Sequence, residues 1–128
     1  MILLDTCSFL WMTSDPSKLS KEAKRLITKH AGEVFVSSIS AFEIGIKAQK
    51  GQLDLPLEIH RWFSTALKFH DVTEIPVNAE IAGHSTQLPS IHRDPCDRMI
   101  ISTSQIHDFI LLTPDPLIRQ YPQVKTVW

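Results

Sequence analysis

Short apolar segments alternate with segments of helical spacing along the whole chain, and this alternation restricts the possible folds more than any other feature of the sequence. The apolar segments have the length and composition of strands and lie at residues 2–4, 34–36, 72–77, 109–113 and 124–127. Helices are predicted between them at residues 20–31, 56–69, 78–87, 94–107 and, as a short turn, 115–121. Another helix is predicted to run to about Lys50, with Ser37, Ser38 and Ser40 as candidate N-caps. Strands joined by helical crossovers pair in parallel and are covered on both faces. We therefore expect an α/β fold, a three-layer α/β/α sandwich around a central, mainly parallel sheet.

The chain has the length of a single domain. Its 128 residues contain no internal repeat, low-complexity tract or linker that would divide them, so we expect one domain spanning residues 1–128. The 13 Lys and Arg residues nearly balance the 14 Asp and Glu residues, and the formal net charge is -1. A net charge so close to zero excludes a protein that binds nucleic acid through bulk positive charge. A nucleic-acid function would have to come from a local arrangement of side chains.

The cysteines and the apolar segments indicate a cellular compartment. Cys7 and Cys96 have no partner at the spacing of a metal site or a redox motif, and two cysteines are too few for a disulfide framework. The apolar segments have strand length, and Asp5 interrupts the N-terminal apolar run that a signal peptide would require. We expect a cytoplasmic protein that does not insert into membranes.

Acidic residues follow the predicted strands at the points where the strands end. Asp5 comes directly after the first strand, and Glu43 lies in the first turn of the helix after the second. Asp94 and Asp97 open another helix, and Asp115 follows the fourth strand. Because the carboxyl ends of parallel strands meet at one edge of the sheet, residues far apart in sequence can converge there. The sequence therefore predicts an acidic cleft.

Each acid also has a purely structural interpretation. Ser40-x-x-Glu43 matches a capping box, in which the glutamate bonds back to the start of its own helix. Asp94, followed by Pro95, has the features of a helix N-cap. Asp115 can be a turn residue, whereas Asp5 at a strand end has the weakest structural explanation.

A cluster of ionised carboxylates implies a bound cation. Three or four such groups within a few ångströms repel one another and destabilise the fold unless positive charge neutralises them. Oxygen ligands alone favour Mg²⁺ or Mn²⁺, and Mg²⁺ commonly joins protein carboxylates to phosphate oxygens of a substrate. The expected chemistry is hydrolysis of a phosphodiester by a metal-activated water, which needs no side-chain nucleophile.

Four sequence blocks carry the predicted acids. They are Leu3-Leu4-Asp5-Thr6, Ser37-x-x-Ser40-x-x-Glu43-Ile44, His92-Arg93-Asp94-Pro95-x-Asp97-Arg98 and Leu112-Thr113-x-Asp115. In content and order these blocks resemble those of PIN-domain ribonucleases, and the subgroup they resemble is the VapC-type toxins of type II toxin–antitoxin systems. The resemblance implies that the predicted sandwich is a Rossmann-like PIN domain.

The resemblance also implies an activity and the residues that perform it. Enzymes of this kind are Mg²⁺-dependent endoribonucleases that leave a 5′-phosphate and a 3′-hydroxyl, with Mn²⁺ as a possible substitute for Mg²⁺. Carried over by position, the catalytic and metal-binding acids are Asp5, Glu43, Asp97 and Asp115. The accessory residues are Asp94, Thr6 and Thr113.

Basic residues near the acids are candidates for RNA binding. Arg93 and Arg98 flank the start of the helix that carries Asp97, and Lys47 lies one turn beyond Glu43. The alternative is an ordinary solvated helix surface. The six histidines have no spacing typical of a metal site, so we expect them at the surface or at helix ends.

The resemblance further implies protein partners. VapC-type toxins form homodimers, and a small VapB-type antitoxin wraps their helices and blocks the cleft, often with a basic side chain among the acids. A cation supplied by a partner would suit a cluster of carboxylates. RNA is the implied substrate.

Three other functions stay open. A catalytically silent PIN-like module would keep the fold and bind without cleaving. A Mg²⁺-dependent phosphatase of the haloacid-dehalogenase type would need a second Asp two positions after Asp5, where this chain has Cys7. A receiver-type signalling module would need paired acids by the first strand and a late lysine after a strand, which the sequence lacks.

Overall fold

The sheet of the protein consists of short, strongly apolar strands. The computed structural model describes residues 1–128, and its strands are β1 (Ile2–Leu4), β2 (Val34–Ser37), β3 (Val72–Ile75), β4 (Ile110–Leu112) and β5 (Thr126–Val127). They form one sheet in the order β3-β2-β1-β4-β5, and every neighbouring pair is parallel. β1 is central and its three residues are fully buried, as expected for a strand covered on both faces. The predicted parallel sheet is confirmed, and it is parallel throughout.

Six helices connect and cover the strands. They are α1 (Thr6–Ser14), α2 (Lys21–Lys29), α3 (Ile39–Gln49), α4 (Ile59–His70), α5 (Ala79–Ser85) and α6 (Pro95–His107). The chain also makes 3-10 turns at Pro16–Lys18 and Ile118–Gln120. No helix is both long enough and apolar enough to span a bilayer.

Local sequence signals set most of the helix ends. Ser20 caps α2 and Asn78 caps α5, each by accepting a backbone N–H three residues on. Gly51, with a φ of +72°, follows the end of α3 in a left-handed conformation that favours glycine. α4 begins at Ile59 rather than at the predicted residue 56, because the Glu58 carboxylate accepts the N–H groups of His60 and Arg61.

The sheet divides the apolar core into two layers. Ile2 and Leu4 belong to the larger layer, whereas Leu3 between them belongs to the other, as the alternation of side chains along a strand requires. The larger layer takes apolar side chains from α1 to α4, and the smaller takes Ile100 and Ile101 from α6. α5 packs on α6. The three-layer sandwich is thus confirmed.

Helix α1 was not predicted from the sequence. Its apolar residues surround the helix: Phe9 and Met12 are buried, and Leu10 and Trp11 pack partly buried against the same core. A helix that is apolar on all sides gives no amphipathic periodicity. The available signal is Asp5, which caps α1 by accepting the backbone N–H of Ser8.

We predict that Phe9→Ala lowers the free energy of unfolding by about 3–5 kcal/mol, because it leaves a cavity in the larger core layer. Phe9 is fully buried, and its ring packs 5.2 Å from that of Phe63 and 6.1 Å from that of Trp62, measured between centroids. Urea denaturation followed by tryptophan fluorescence measures the change. Phe69, with 83% of its surface exposed, gives the matched control, and Phe69→Ala should change the value by no more than about 0.5 kcal/mol. Equal effects of the two variants would contradict this packing.

Candidate active site

The predicted acids meet at the carboxyl edge of the sheet. A cleft of about 470 Å³ opens there between the ends of β1 and β4 and the helices α3 and α6. It is lined by Asp5, Thr6, Cys7, Glu43, Lys47, Asp97, Pro114, Asp115 and Pro116. All four acids expected to be catalytic, from four separate parts of the chain, therefore border one cleft.

Both carboxylate oxygens of Asp5 accept hydrogen bonds. Oδ1 accepts the backbone N–H of Ser8 at 2.7 Å, and Oδ2 accepts the hydroxyl of Thr113 at 2.6 Å. Burial raises the pKa of Asp5, and these hydrogen bonds partly offset the rise. The expectation that Asp5 has the weakest structural explanation was wrong, because Asp5 is the N-cap of the unpredicted helix α1. Its carboxylate serves the fold and borders the cleft at the same time.

Glu43 is not part of a capping box. α3 begins at Ile39, so Ser40 lies inside the helix and cannot be its N-cap. The Glu43 carboxylate instead accepts the hydroxyl of Thr6 at 2.5 Å. Because Thr6 has a single hydroxyl proton, the 2.8 Å contact between the Thr6 and Ser40 hydroxyls is donated by Ser40. Burial raises the pKa of Glu43, whereas Lys47 and the Thr6 hydrogen bond lower it.

Asp94 is the helix cap that the sequence predicts, and Asp97 is the acid that borders the cleft. Asp94 accepts the backbone N–H groups of Cys96 at 2.8 Å and Asp97 at 3.3 Å, at the start of α6. Burial raises the pKa of Asp97 to about 7, with further contributions from the negative charges of Glu43 and Asp94. In the absence of a cation, the crowded site therefore shifts Asp97 towards its protonated form.

Thr113 joins the first and last acids of the cleft. Its buried hydroxyl donates to Asp5 and accepts the backbone N–H of Asp115 at 3.1 Å. Oδ1 of Asp115 also accepts the backbone N–H of Leu117, so the predicted turn at this residue is present as well. The accessory positions Thr6 and Thr113 thus each contact a predicted catalytic acid.

His92 is a site residue that sequence reasoning missed. Its Nε2 hydrogen-bonds Oδ2 of Asp115 at 3.1 Å and lies 3.1 Å from Oδ2 of Asp97. Only 9% of the residue is exposed, so the expectation of a surface or capping histidine is wrong here. The sequence feature that could have predicted this role is the position of His92, two residues before the N-cap of α6. A side chain at that position can fold back over the first helical turn.

Of the predicted RNA contacts, only Lys47 lines the cleft. Arg93 is exposed beside the start of α6. Arg98 is not among the residues that line the cleft, and its terminal nitrogens donate to the carbonyls of Ser85, Leu88, Pro89 and His92. These four bonds argue against the predicted RNA contact, because a guanidinium engaged in this way stabilises the loop of residues 86–92.

The donor set of the cleft fits a hard divalent cation. Asp5, Glu43, Asp97 and Asp115 supply carboxylate oxygens, and the pKa values of the first three are raised without a cation present. Potential ligand atoms of His92, Asp97 and Asp115 lie within 4.8 Å of one another. An ion that accepts oxygen ligands would relieve the repulsion among these groups.

A parallel α/β/α sandwich with an acidic cleft at the carboxyl edge of its sheet defines the class of this protein. Comparison with known sequences identifies the family. The chain belongs to the PIN-domain family, because the family model described as PIN domain matches residues 2–123. The chain is also 31% identical over 130 residues to Ribonuclease VapC22 of Mycobacterium tuberculosis, with 99% of this chain and 98% of that protein covered. The family resemblance inferred from the four sequence blocks is confirmed.

Solved structures of low sequence identity share the fold. The DNA-bound VapBC of Salmonella typhimurium matches with a TM-score of 0.70 at 16% identity, covering 99% of this chain and 98% of that chain. The VapBC2 of Rickettsia felis, bound to a DNA fragment from its promoter, matches with a TM-score of 0.73 at 14% identity and the same coverage. At such identities the likeness extends to the fold alone.

We predict that Asp97→Asn stabilises the metal-free protein at pH 8. Because the pKa of Asp97 is raised, the folded chain holds its proton more tightly than the unfolded chain. The free energy of unfolding therefore falls as pH rises from 3.8 towards about 7. Asparagine carries no charge, so the variant does not lose this free energy of unfolding at high pH. Its unfolding temperature at pH 8 should therefore be at least about 3 °C above that of the parent, the shift that roughly 1 kcal/mol gives in a domain of this length.

Calorimetry in EDTA at pH 8 and at pH 5 measures this effect, and the difference between variant and parent should shrink at the lower pH. Asp54→Asn, in an exposed loop, is the matched control and should leave the unfolding temperature unchanged at both pH values. A variant less stable than its parent at pH 8 would show that Asp97 is not under charge repulsion.

Proposed function

We propose that this chain is a single PIN domain, residues 1–128, and a Mg²⁺-dependent endoribonuclease acting as the toxin of a toxin–antitoxin pair. The observation that carries the proposal is the convergence of Asp5, Glu43, Asp97 and Asp115 on one cleft in a relative of a named ribonuclease. The products are a 5′-phosphate and a 3′-hydroxyl. Mn²⁺ is expected to substitute for Mg²⁺ because it accepts the same oxygen ligands.

In this proposal the four carboxylates hold the cation, and the hydroxyls of Thr6 and Thr113 fix the orientation of two of them. When bound, a divalent ion supplies activation of water and neutralisation of charge on the phosphate. Cys7 also lines the cleft, but burial and the charge of Asp5 raise the pKa of its thiol to about 11. The thiol therefore stays protonated near neutral pH, which favours water over this side chain as the nucleophile.

The proposed RNA contacts are Lys47 and Arg93. Lys47 is exposed on α3, one turn beyond Glu43, and borders the cleft. Arg93 is exposed one residue before the cap of α6. Both can approach phosphates that flank a scissile bond at the acids, and two such contacts fit a chain without net positive charge.

The proposed protein partners are a VapB-type antitoxin and a second copy of this chain. The solved structures with this fold include VapBC complexes and a toxin–antitoxin complex from Klebsiella pneumoniae. The cleft is strongly acidic, and Lys47 is the one basic residue that lines it. A basic side chain from an antitoxin would therefore find complementary charge there.

We predict that the purified protein cleaves a mixed RNA pool in Mg²⁺ or Mn²⁺ and that EDTA abolishes the cleavage. Asp5→Asn should abolish it too, because the substitution removes one of the four carboxylates that hold the cation. Asparagine is a good N-cap, so α1 and the fold should persist. Mapping of new RNA ends measures the activity, and circular dichroism confirms the fold of the variant. Cuts that persist in EDTA would contradict metal dependence, and no cuts with either metal would favour a silent binding module.

We predict that Asp94→Asn loses less activity than Asp97→Asn. Asparagine at residue 94 can still accept the N–H groups that begin α6, so the helix keeps its cap. Asp97→Asn should lower the cleavage rate by more than about 100-fold, beyond the 10–100-fold typical for residues that only support metal ligands. Initial rates on a mapped RNA site measure both variants. The reverse order would show that the roles of the two acids are exchanged.

A further inference from the structure

The imidazole of His92 is bonded at both of its nitrogens. Nδ1 lies 3.1 Å from the backbone N–H of Asp94, which can only donate. Nδ1 must therefore be an acceptor without a proton, and the ring proton is on Nε2. That proton is donated to Oδ2 of Asp115, and Oδ2 of Asp97 lies at the same distance of 3.1 Å. The backbone of α6 thus selects the tautomer that donates into the acidic cluster.

The backbone of His92 is fixed as firmly as its ring. Its N–H donates to the hydroxyl of Tyr121 at 2.9 Å, and its carbonyl accepts Nη1 of Arg98 at 3.1 Å. The Tyr121 hydroxyl in turn donates to the carbonyl of Pro89 at 3.0 Å, and Tyr121 is 2% exposed. The backbone from which the ring reaches the two carboxylates is therefore held by hydrogen bonds at both its N–H and its carbonyl.

A histidine near two carboxylates has two possible relations to a cation. As a ligand, His92 would present an unprotonated Nε2 to the ion, which requires the ring proton on Nδ1. A proton on Nδ1 would face the N–H of Asp94, and two donors cannot bond each other. As a donor, His92 keeps the tautomer that the Asp94 N–H requires and acts on the ion only through the carboxylates.

We propose, on the basis of the nuclease function proposed above, that His92 is a positioning residue that holds Asp97 and Asp115 together through its Nε2–H and does not ligate the cation. Oδ2 of Asp115 accepts a hydrogen bond from Nε2–H, and its Oδ1 accepts one from the backbone N–H of Leu117, so both oxygens of that carboxylate are oriented by the chain. The positive end of the N–H dipole also lies between two negative groups that would otherwise repel each other. Arg98 and Tyr121 contribute by fixing the backbone from which His92 reaches the site.

The tautomer of His92 is measured directly on the full chain labelled with ¹⁵N-histidine, by long-range ¹H–¹⁵N correlation with EDTA or with Mg²⁺. The proposal expects the pattern of a proton on Nε2 in both states. A proton on Nδ1, or an Nε2 signal converted by Mg²⁺ to that of a metal ligand, would overturn it. The measurement involves no RNA, so failure of the nuclease proposal leaves this test intact.

Two variants test the positioning role through Mg²⁺ affinity, measured by calorimetric titration without RNA. Gln at residue 92 can place an amide N–H near the position of Nε2, whereas Leu has similar bulk and no donor. His92→Leu should weaken Mg²⁺ binding about 10–100-fold, as loss of a residue that supports metal ligands typically does. His92→Gln should recover most of that loss, to within about 3-fold of the parent.

His84→Gln is the matched control, because the His84 ring bonds Gln105 and does not line the cleft. It should leave the affinity for Mg²⁺ unchanged. Equal affinities of the parent and His92→Leu would overturn the proposal, and so would equal losses in the Leu and Gln variants when both are folded by circular dichroism. If His92→Leu does not fold, the tautomer of the parent and the affinity of His92→Gln decide the question.

Discussion

Repulsion among carboxylates at one edge of a parallel sheet is the constraint that the rest of this structure accommodates. Asp5, Glu43, Asp97 and Asp115 come from different elements, and the topology brings them together regardless of the electrostatic cost. Asp5, Glu43 and Asp115 each accept a hydrogen bond from a hydroxyl, a backbone N–H or the imidazole of His92, and Asp97 lies 3.1 Å from the same imidazole. These donors lower the cost without cancelling the charge, since burial still raises the pKa of Asp97 to about 7. The remaining negative charge favours a cation.

The same donors connect the site to the fold. Asp5 is both a cleft residue and the N-cap of α1, and Thr113 is both the residue after β4 and the donor to Asp5. The acids are thereby held by groups whose positions the secondary structure sets, rather than by flexible surface contacts. Such preorganisation keeps like charges close before any ion binds. The consequence is that stability and the proposed metal binding oppose each other at Asp97, as expected of a functional site.

The sequence predicted what depends on local pattern and left out what depends on packing. The apolar runs before Asp5 and Asp115 gave the strands, and the rule for parallel sheets then placed those acids at one edge. Helix α1 was not predicted because its residues are apolar on all sides, and the capping role of Asp5 was therefore not predicted either. The role of His92 was not predicted because its partners, Asp97 and Asp115, are neighbours only after the sheet has formed. The capping box predicted at Glu43 was wrong because α3 begins at Ile39, before Ser40, and the Glu43 carboxylate instead accepts the hydroxyl of Thr6, 37 residues away in sequence.

The segment after β4 shows how a chain of this size stabilises such a site with few elements. Within a few residues it supplies Asp115 to the cleft and Tyr121 to the backbone of His92. Arg98, one residue beyond Asp97, stabilises the same loop from the side of α6 by donating to its carbonyls. The loop of residues 86–92 is therefore fixed by two elements that each also carry an acid. Because His92 is bonded both to Asp115 after β4 and to the start of α6, the geometry of the acids depends on how α6 is docked against the segment after β4.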